Sequence, residues 1–170
     1  MTKEEKMRSS SLNVTDVEQS KKLDSMGLDP CSADFHWEKM EEEGVVDSDM
    51  PVIRNGYHLV PGANPAFFIN GFSYRNGYII PAWSVGRLLD LMPTPIHYPG
   101  CEEKEDIVYE DYMPNLAMDE NGSYFCEYLD YDGEGLEAKS SENKIDAEIQ
   151  MIEWLFKNKY IKPYVWKKSE

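Results

Sequence analysis

The chain has 170 residues and a formal net charge of −15 at neutral pH. This length suits one domain that buries roughly 70% of its unfolded surface, so a core can form without stabilising disulfides. No apolar run has transmembrane length and the N-terminus lacks an apolar leader, so we expect neither export nor membrane spanning. The three cysteines, Cys31, Cys101 and Cys126, are an odd number without the spacing of a disulfide framework. This favours reduced thiols and a cytoplasmic location.

The negative charge is concentrated in residues 101–142, which hold 14 acidic and 2 basic residues, a net charge of −12. Such a segment repels phosphate backbones, so we expect no direct binding of nucleic acid through it. A basic protein partner, a bound cation and a solvated surface are all compatible with it.

Residues 1–13 are predicted to be a disordered tail and residues 14–170 a single domain. The first predicted helix starts at a capping box, in which the Thr15 hydroxyl and the Glu18 carboxylate each bond a backbone amide. Gly27 is predicted to stop this helix.

Residues 31–44 fit either a helix or a short strand that carries Phe35 and Trp37 on one face. Residues 45–71 contain three prolines, so we expect a mostly irregular path with isolated strands. A short echo occurs here, because RNGYHLVP at residues 54–61 resembles RNGYIIP at residues 75–81. We attribute it to two Asn-Gly turns rather than to a repeat fold.

Residues 78–93 read YIIPAWSVGRLLDLMP, in which Ser84 lies between an apolar strand and a helix. The local pattern imitates the nucleophile elbow of serine hydrolases. That chemistry also needs an acid and a downstream histidine, and the one later histidine is His97. We therefore interpret Ser84 as a helix cap ahead of a buried stripe formed by Val85, Leu88, Leu89 and Met92.

Strand-like stretches begin near Asp106 and are separated by turn sequences at residues 119–122 and 131–135, which predicts an antiparallel meander. A final helix is predicted over residues 144–158, with Asn143 at its start. Its buried stripe consists of Ile145, Ile149, Ile152 and Phe156. The predicted fold class is α+β, an antiparallel β-meander with two or three helices packed on one face.

Two segments of the sequence match metal-binding patterns only in part, so neither a metal site nor a cofactor is predicted. Cys31 and His36 together with His97 and Cys101 offer a zinc ligand set, but the pairs lie far apart in sequence and lack tight spacing. Residues 130–135, DYDGEG, copy the first half of a calcium loop, but the twelfth position is Ser141 where a bidentate glutamate is needed.

Tyrosines are frequent in the acidic strands, and their rings can bury area in an interface while the hydroxyls stay hydrated. The same residues also suit half-buried strands. The candidate protein-binding residues are Tyr109, Tyr112, Tyr124, Tyr128 and Tyr131.

Three pieces of the chain are similar to a group of small proteins from genomes of gut Bacteroidetes that have a prophage-like or mobile-element-like character. The pieces are VTDVEQSKKLDSMGLDPCSADFHW, IPAWSVGRLLDLMP and DAEIQMIEWLFKNKYI, in the same order. The resemblance implies a strand at residues 35–37 and a bacterial or phage-infected cytoplasm. It implies no activity and no site residues.

The functional hypothesis is a non-catalytic acidic accessory protein that binds another protein. One alternative is a DNA-mimicking inhibitor, whose carboxylates take the place of phosphates on a DNA-binding protein. Another is a small hydrolase or metal-binding protein that uses Ser84 or a Cys/His site. The oligomeric state is left open.

Overall fold

The computed structural model describes residues 13–40, 53–62, 74, 76–99 and 109–164. Contacts divide the chain into two compact units, residues 1–87 with 163–170 and residues 88–162. Residues 1–12 of the predicted tail lie outside the described residues, and the single domain stays a prediction. The α+β class with antiparallel sheets is confirmed, and the strands form two sheets.

The described residues of the first unit form α1 (Val17–Met26), a 3₁₀ turn (Pro30–Ser32), β1 (Phe35–Lys39), β2 (Ile53–Arg54), β3 (Tyr57–Pro61) and β4 (Ile79–Ala82). All strand pairs are antiparallel, in the order β2-β3-β1-β4. α1 packs against β4. The buried cluster of this unit consists of Val17, Trp37, Leu59, Ile80 and Ala82. The strand reading of residues 35–37 is confirmed.

The start of α1 differs from the prediction by one residue. Asp16 is the N-cap, and its carboxylate accepts a hydrogen bond from the Gln19 backbone N–H at 2.8 Å. The Gln19 side chain accepts from the Asp16 N–H at 2.8 Å and completes the capping box. The predicted box of Thr15 and Glu18 is wrong, because the Thr15 hydroxyl is buried and accepts a hydrogen bond from the Trp83 N–H at 3.0 Å.

Gly27 ends α1, as predicted, with a left-handed φ of 91°. Its carbonyl accepts a hydrogen bond from the Tyr164 N–H at 2.8 Å. A Cβ atom added at Gly27 would lie 2.8 Å from the Cβ atom of Pro163. Pro163 and Tyr164 therefore pack over the C-terminal end of α1.

The two copies of the RNGY echo place their strands on the two edges of β1. Leu59 in β3 and Ile80 in β4 both lie opposite Trp37, which is fully buried. The Tyr57 hydroxyl donates to the Gly77 carbonyl at 2.8 Å, so the two turns are neighbours. Equivalent positions of the echo thus meet the same residue of the central strand.

The first copy of the echo forms the expected Asn-Gly turn. Asn55 and Gly56 have φ angles of 50° and 78°, and Arg54 pairs with Tyr57 across the turn. Both central residues of such a two-residue hairpin need positive φ, which Asn and Gly tolerate best. This finding confirms the turn interpretation at residues 54–57.

The division between the units falls within α2 (Val85–Asp90), a helix shorter than the sequence predicted. Leu88 and Met92 are buried, as expected of the stripe, whereas Val85 and Leu89 are only half-buried. The other elements in the described residues are β5 (Ile96–Pro99), β6 (Tyr109–Met118), β7 (Tyr124–Leu129), β8 (Gly135–Ser141) and α3 (Lys144–Lys157).

The sheet of the second unit has the order β5-β6-β7-β8, with every pair antiparallel, and is therefore the predicted meander. α3 packs against β7 and β8. The Asn143 side chain accepts from the Ile145 N–H at 2.9 Å, which confirms the predicted cap. The ends of α3 match the prediction within one residue.

Among the described residues, no helix has the length and apolar character needed to cross a membrane.

Candidate functional site

Ser84 is a helix cap, as predicted. Its hydroxyl oxygen accepts a hydrogen bond from the Arg87 N–H at 3.1 Å and satisfies an amide of the first turn of α2. The hydroxyl also donates to one carboxylate oxygen of Asp34, and the Ser84 N–H donates to the other oxygen at 2.8 Å. Ser84 and Asp34 therefore tie the start of α2 to the end of the 3₁₀ turn.

The neighbours of Ser84 have structural roles. The Trp83 side chain is fully buried, and its indole N–H donates to the Ser32 hydroxyl at 3.0 Å. The Arg87 side chain donates to the Ser32 carbonyl at 2.6 Å. A serine nucleophile is activated by an imidazole, whereas the Ser84 hydroxyl is bonded to a carboxylate and an amide. This geometry favours the cap over a nucleophile.

The two histidines among the candidate zinc ligands have other partners. His36 Nδ1 lies 2.7 Å from the Gly62 carbonyl oxygen, and His97 Nδ1 lies 2.6 Å from an Asp111 carboxylate oxygen. Cys31 is a free thiol, and Cys101 lies outside the described residues. Over the part of the chain that the structure covers, no three His, Cys, Asp or Glu side chains group closely enough for a metal.

The calcium-like segment is a turn held by its first aspartate. One carboxylate oxygen of Asp130 accepts hydrogen bonds from the backbone N–H groups of Asp132 at 3.0 Å and Glu134 at 2.7 Å. Gly133 has a φ of 85°. The Asp130 carboxylate thus closes the connection between β7 and β8, the usual role of aspartate in such turns.

The five candidate tyrosines differ in exposure. Tyr128 is fully buried and donates to the Pro93 carbonyl at 3.0 Å, and Tyr112 is 7% exposed. Tyr124 is half-buried. Tyr131 lies at the tip of the β7–β8 turn and is as exposed as in an extended chain, at 102%. The backbone of Tyr109 belongs to β6. Among those with a described side chain, Tyr131 offers the largest ring surface for contact.

Several carboxylates lie near Tyr112 at the end of the sheet where β6 begins and where the β7–β8 turn carries Tyr131. The Tyr112 hydroxyl donates to Glu110 at 2.6 Å. This hydrogen bond, with burial and the charges of Glu110, Asp130 and Glu134, raises the pKa of Tyr112 to about 12. We name this surface the acidic end, and it consists of Glu110, Asp130, Tyr131, Asp132 and Glu134.

Exposed apolar surface adjoins the acidic end. Met113 is 48% exposed and pairs with Leu129, the last residue of β7 before the turn. Exposed aromatic and methionine side chains are enriched in protein interfaces, where polar residues form the rim.

The burial of two carboxylates, one full and one partial, was not predicted from the sequence. Asp34 looked like an ordinary polar residue, and no spacing connects it with Ser84. Glu148 is fully buried on α3. The sequence held a signal for it, because Glu148 lies three residues after Ile145 and four before Ile152, within the apolar stripe.

The chain matches no protein-family model, and no match to it was found among curated proteins or solved structures.

Proposed function

We propose that the chain is a non-catalytic accessory protein that binds a basic surface of another protein through the acidic end. The observation that carries the proposal is Tyr131, which is fully exposed and flanked in sequence by Asp130 and Asp132. Tyrosine is among the residues that contribute most to protein interfaces, and it loses little conformational entropy on binding. Following the resemblance stated above, we place the protein in the cytoplasm as a product of a phage or mobile element.

The charge distribution supports a basic partner. Carboxylates on one small surface attract a cationic partner, accelerate association and repel acidic competitors. Tyr131 and Met113 would add apolar contacts that persist at moderate salt, whereas salt screens the attraction between the surrounding carboxylates and the partner. We therefore expect binding to weaken as salt rises, without complete loss at physiological ionic strength.

The test compares two charge-reversed variants by affinity capture from a bacterial lysate. The first carries Asp132→Lys and Glu134→Lys at the acidic end. The matched control carries Glu120→Lys and Glu142→Lys, which lie at the opposite end of the sheet and change the net charge equally. A partner should be lost by the first variant and retained by the second. Equal loss in both variants, or no partner captured by the native chain, would contradict the proposal.

Tyr131→Ala separates the ring from the charges, because it leaves every carboxylate in place. With a captured partner, we expect binding to weaken at least tenfold, equivalent to about 1.4 kcal/mol. Unchanged affinity would remove Tyr131 from the contact.

The DNA-mimic alternative makes a different prediction in the same experiment. A mimic would occupy a DNA-binding surface, so a DNA duplex would displace the captured partner, with strong dependence on salt. If a DNA duplex displaced the captured partner, the target would be a DNA-binding protein rather than a basic protein in general. Covalent labelling of Ser84 by a fluorophosphonate probe would instead contradict the non-catalytic assignment.

A further inference from the structure

The second unit encloses a carboxylate without hydrogen-bond partners. Glu148 lies on the face of α3 that packs against β7 and β8, and its side chain is 0% exposed. Within the described residues, neither of its two carboxylate oxygens has a hydrogen-bond partner. A buried ionised carboxylate in this state is strongly unfavourable, so such a group needs a specific explanation.

The surroundings of Glu148 offer little compensation for a negative charge. On α3 the positive residue that acts on Glu148 is Lys144, one turn earlier. On β8, Lys139 points to the same side of the sheet as the buried residues of β7, but it is already paired with Glu137 at 2.6 Å. The titratable and charged groups that α3, β7 and β8 present on this side are Lys144, Tyr124, Cys126, Tyr128, Glu137 and Lys139.

Next to Glu148 on β7 is the thiol of Cys126, which is also 0% exposed. The thiol donates to the Met92 sulfur at 3.9 Å. Burial, with the charges of Glu148 and Glu127, raises the pKa of Cys126 to about 12. An uncharged thiol and thioether cannot stabilise a carboxylate charge, so this neighbourhood favours the protonated acid.

We propose that Glu148 is a pH-sensitive switch whose proton keeps α3 docked on β7 and β8, and whose ionisation favours an opened state that exposes Cys126. The inference concerns the inner face of the sheet and does not depend on the acidic end. Opening hydrates both groups that docking buries, the Glu148 carboxylate and the Cys126 thiol.

The direction of the pH dependence follows from proton linkage. Burial raises the pKa of Glu148 from 4.5 to about 8, although the positive charge of Lys144 opposes the shift. Between these two values the docked state binds one more proton than the opened state. Each pH unit in this window therefore raises the population of the opened state about tenfold, and the rise ends near pH 8, where the docked state also ionises.

The experiment follows the labelling rate of Cys126 by a thiol reagent between pH 6 and 7.5, in a full-length chain carrying Cys31→Ser and Cys101→Ser. The rate is the product of the opened population and the intrinsic thiol reactivity, which itself rises about tenfold per pH unit below the thiol pKa. With Glu148 present we expect a rise of about a hundredfold per pH unit. With Glu148→Gln the rise should be about tenfold.

Two further variants keep the result interpretable. Glu153→Gln on the same helix is partly exposed and should retain the hundredfold dependence. Glu148→Met replaces the carboxyl by an apolar group and should behave like Glu148→Gln, which covers the case in which the glutamine variant fails to fold. Equal pH dependence with and without the Glu148 carboxyl overturns the proposal, and so does an absence of labelling over this pH range.

Discussion

Replacing Gly27 with alanine should impose two separate costs at the C-terminal end of α1. The φ of 91° at Gly27 is left-handed, and such a conformation costs a residue with a Cβ about 1–2 kcal/mol. The added Cβ would also lie 2.8 Å from the Cβ of Pro163, well inside the optimal carbon separation of about 3.5–4.0 Å. Relief requires Pro163 and Tyr164 to move.

That movement would break the hydrogen bond from the Tyr164 N–H to the Gly27 carbonyl, whose net value is about 1 kcal/mol. We therefore expect Gly27→Ala to lower the free energy of unfolding by about 2–3 kcal/mol in total. Chemical denaturation followed by circular dichroism measures the change.

Two other glycines serve as controls. Gly56 has a similar φ of 78° but open space around its Cβ position, so Gly56→Ala should cost only the conformational part, about 1–2 kcal/mol. Gly86 lies inside α2 with open space, and Gly86→Ala should stabilise by up to about 1 kcal/mol.

The steric part can be isolated by adding Pro163→Gly, which removes the opposing Cβ. The cost of Gly27→Ala should then fall to the value found at Gly56. If Gly27→Ala and Gly56→Ala cost the same in the native background, or if Pro163→Gly leaves the cost unchanged, the contact between Gly27 and Pro163 is not the cause.

Three further substitutions address individual hydrogen bonds and charges, each measured by chemical denaturation. Ser84→Ala removes the cap on the Arg87 N–H and should cost about 1 kcal/mol; an unchanged midpoint would refute the cap. Thr15→Val leaves the buried Trp83 N–H without its acceptor and should cost about 1–3 kcal/mol, more than Ser84→Ala. Glu148→Met should raise the free energy of unfolding by about 3 kcal/mol at pH 7, because folding no longer requires protonation of a carboxyl whose ordinary pKa is 4.5. The gain should shrink as the pH falls towards 4.5. A difference that does not depend on pH would contradict a buried, protonated Glu148.

Elements with a strong local signal were predictable. α3 combines an Asn143 cap with an apolar stripe of helical period, and its observed limits agree with the prediction within a residue. The turn at Asn55 and Gly56 was likewise fixed by residues that tolerate positive φ. In both places the residues nearest in sequence determine the structure.

The cap of α1 was misplaced because two adjacent residues can each cap a helix. Thr15 is a good cap in isolation, but its hydroxyl bonds Trp83 in the native fold, 68 residues away. Asp16 takes the cap with Gln19. Local patterns carry no information on such a distant partner.

β6 runs through Pro114, although proline lacks the N–H that an interior strand needs. The structure resolves this conflict by changing the partner strand along β6. Residues 109–112 pair with β5, whereas Pro114 pairs with Tyr128 of β7 beyond the last residue that pairs with β5. One edge of β6 is thus unpaired at Pro114, where a missing N–H is tolerated. β5 itself was not predicted, because it is short and follows two prolines.

The concentration of negative charge in this part of the chain could be predicted from the sequence, but the surface on which the charges lie could not. Counting residues locates the acidic segment, whereas the fold brings the charges of Glu110, Asp130 and Glu134 close to Tyr112. Register also buries Tyr112 and Tyr128 and leaves Tyr131 exposed. Exposure of each tyrosine therefore depends on pairings that a single sequence does not specify.

The two edges of β1 are nearly equivalent, and this equivalence bears on the order in which the first sheet assembles. An aliphatic side chain faces Trp37 from either edge, so side-chain packing alone barely distinguishes the two neighbouring strands. Chain connectivity does distinguish them, since 17 residues separate β1 from β3 and 39 separate β1 from β4. Loop-closure entropy favours the shorter connection by about 0.7 kcal/mol, roughly a threefold preference for pairing β3 first. The β2–β3 hairpin then occupies the far edge of β3, which leaves the opposite edge of β1 for β4.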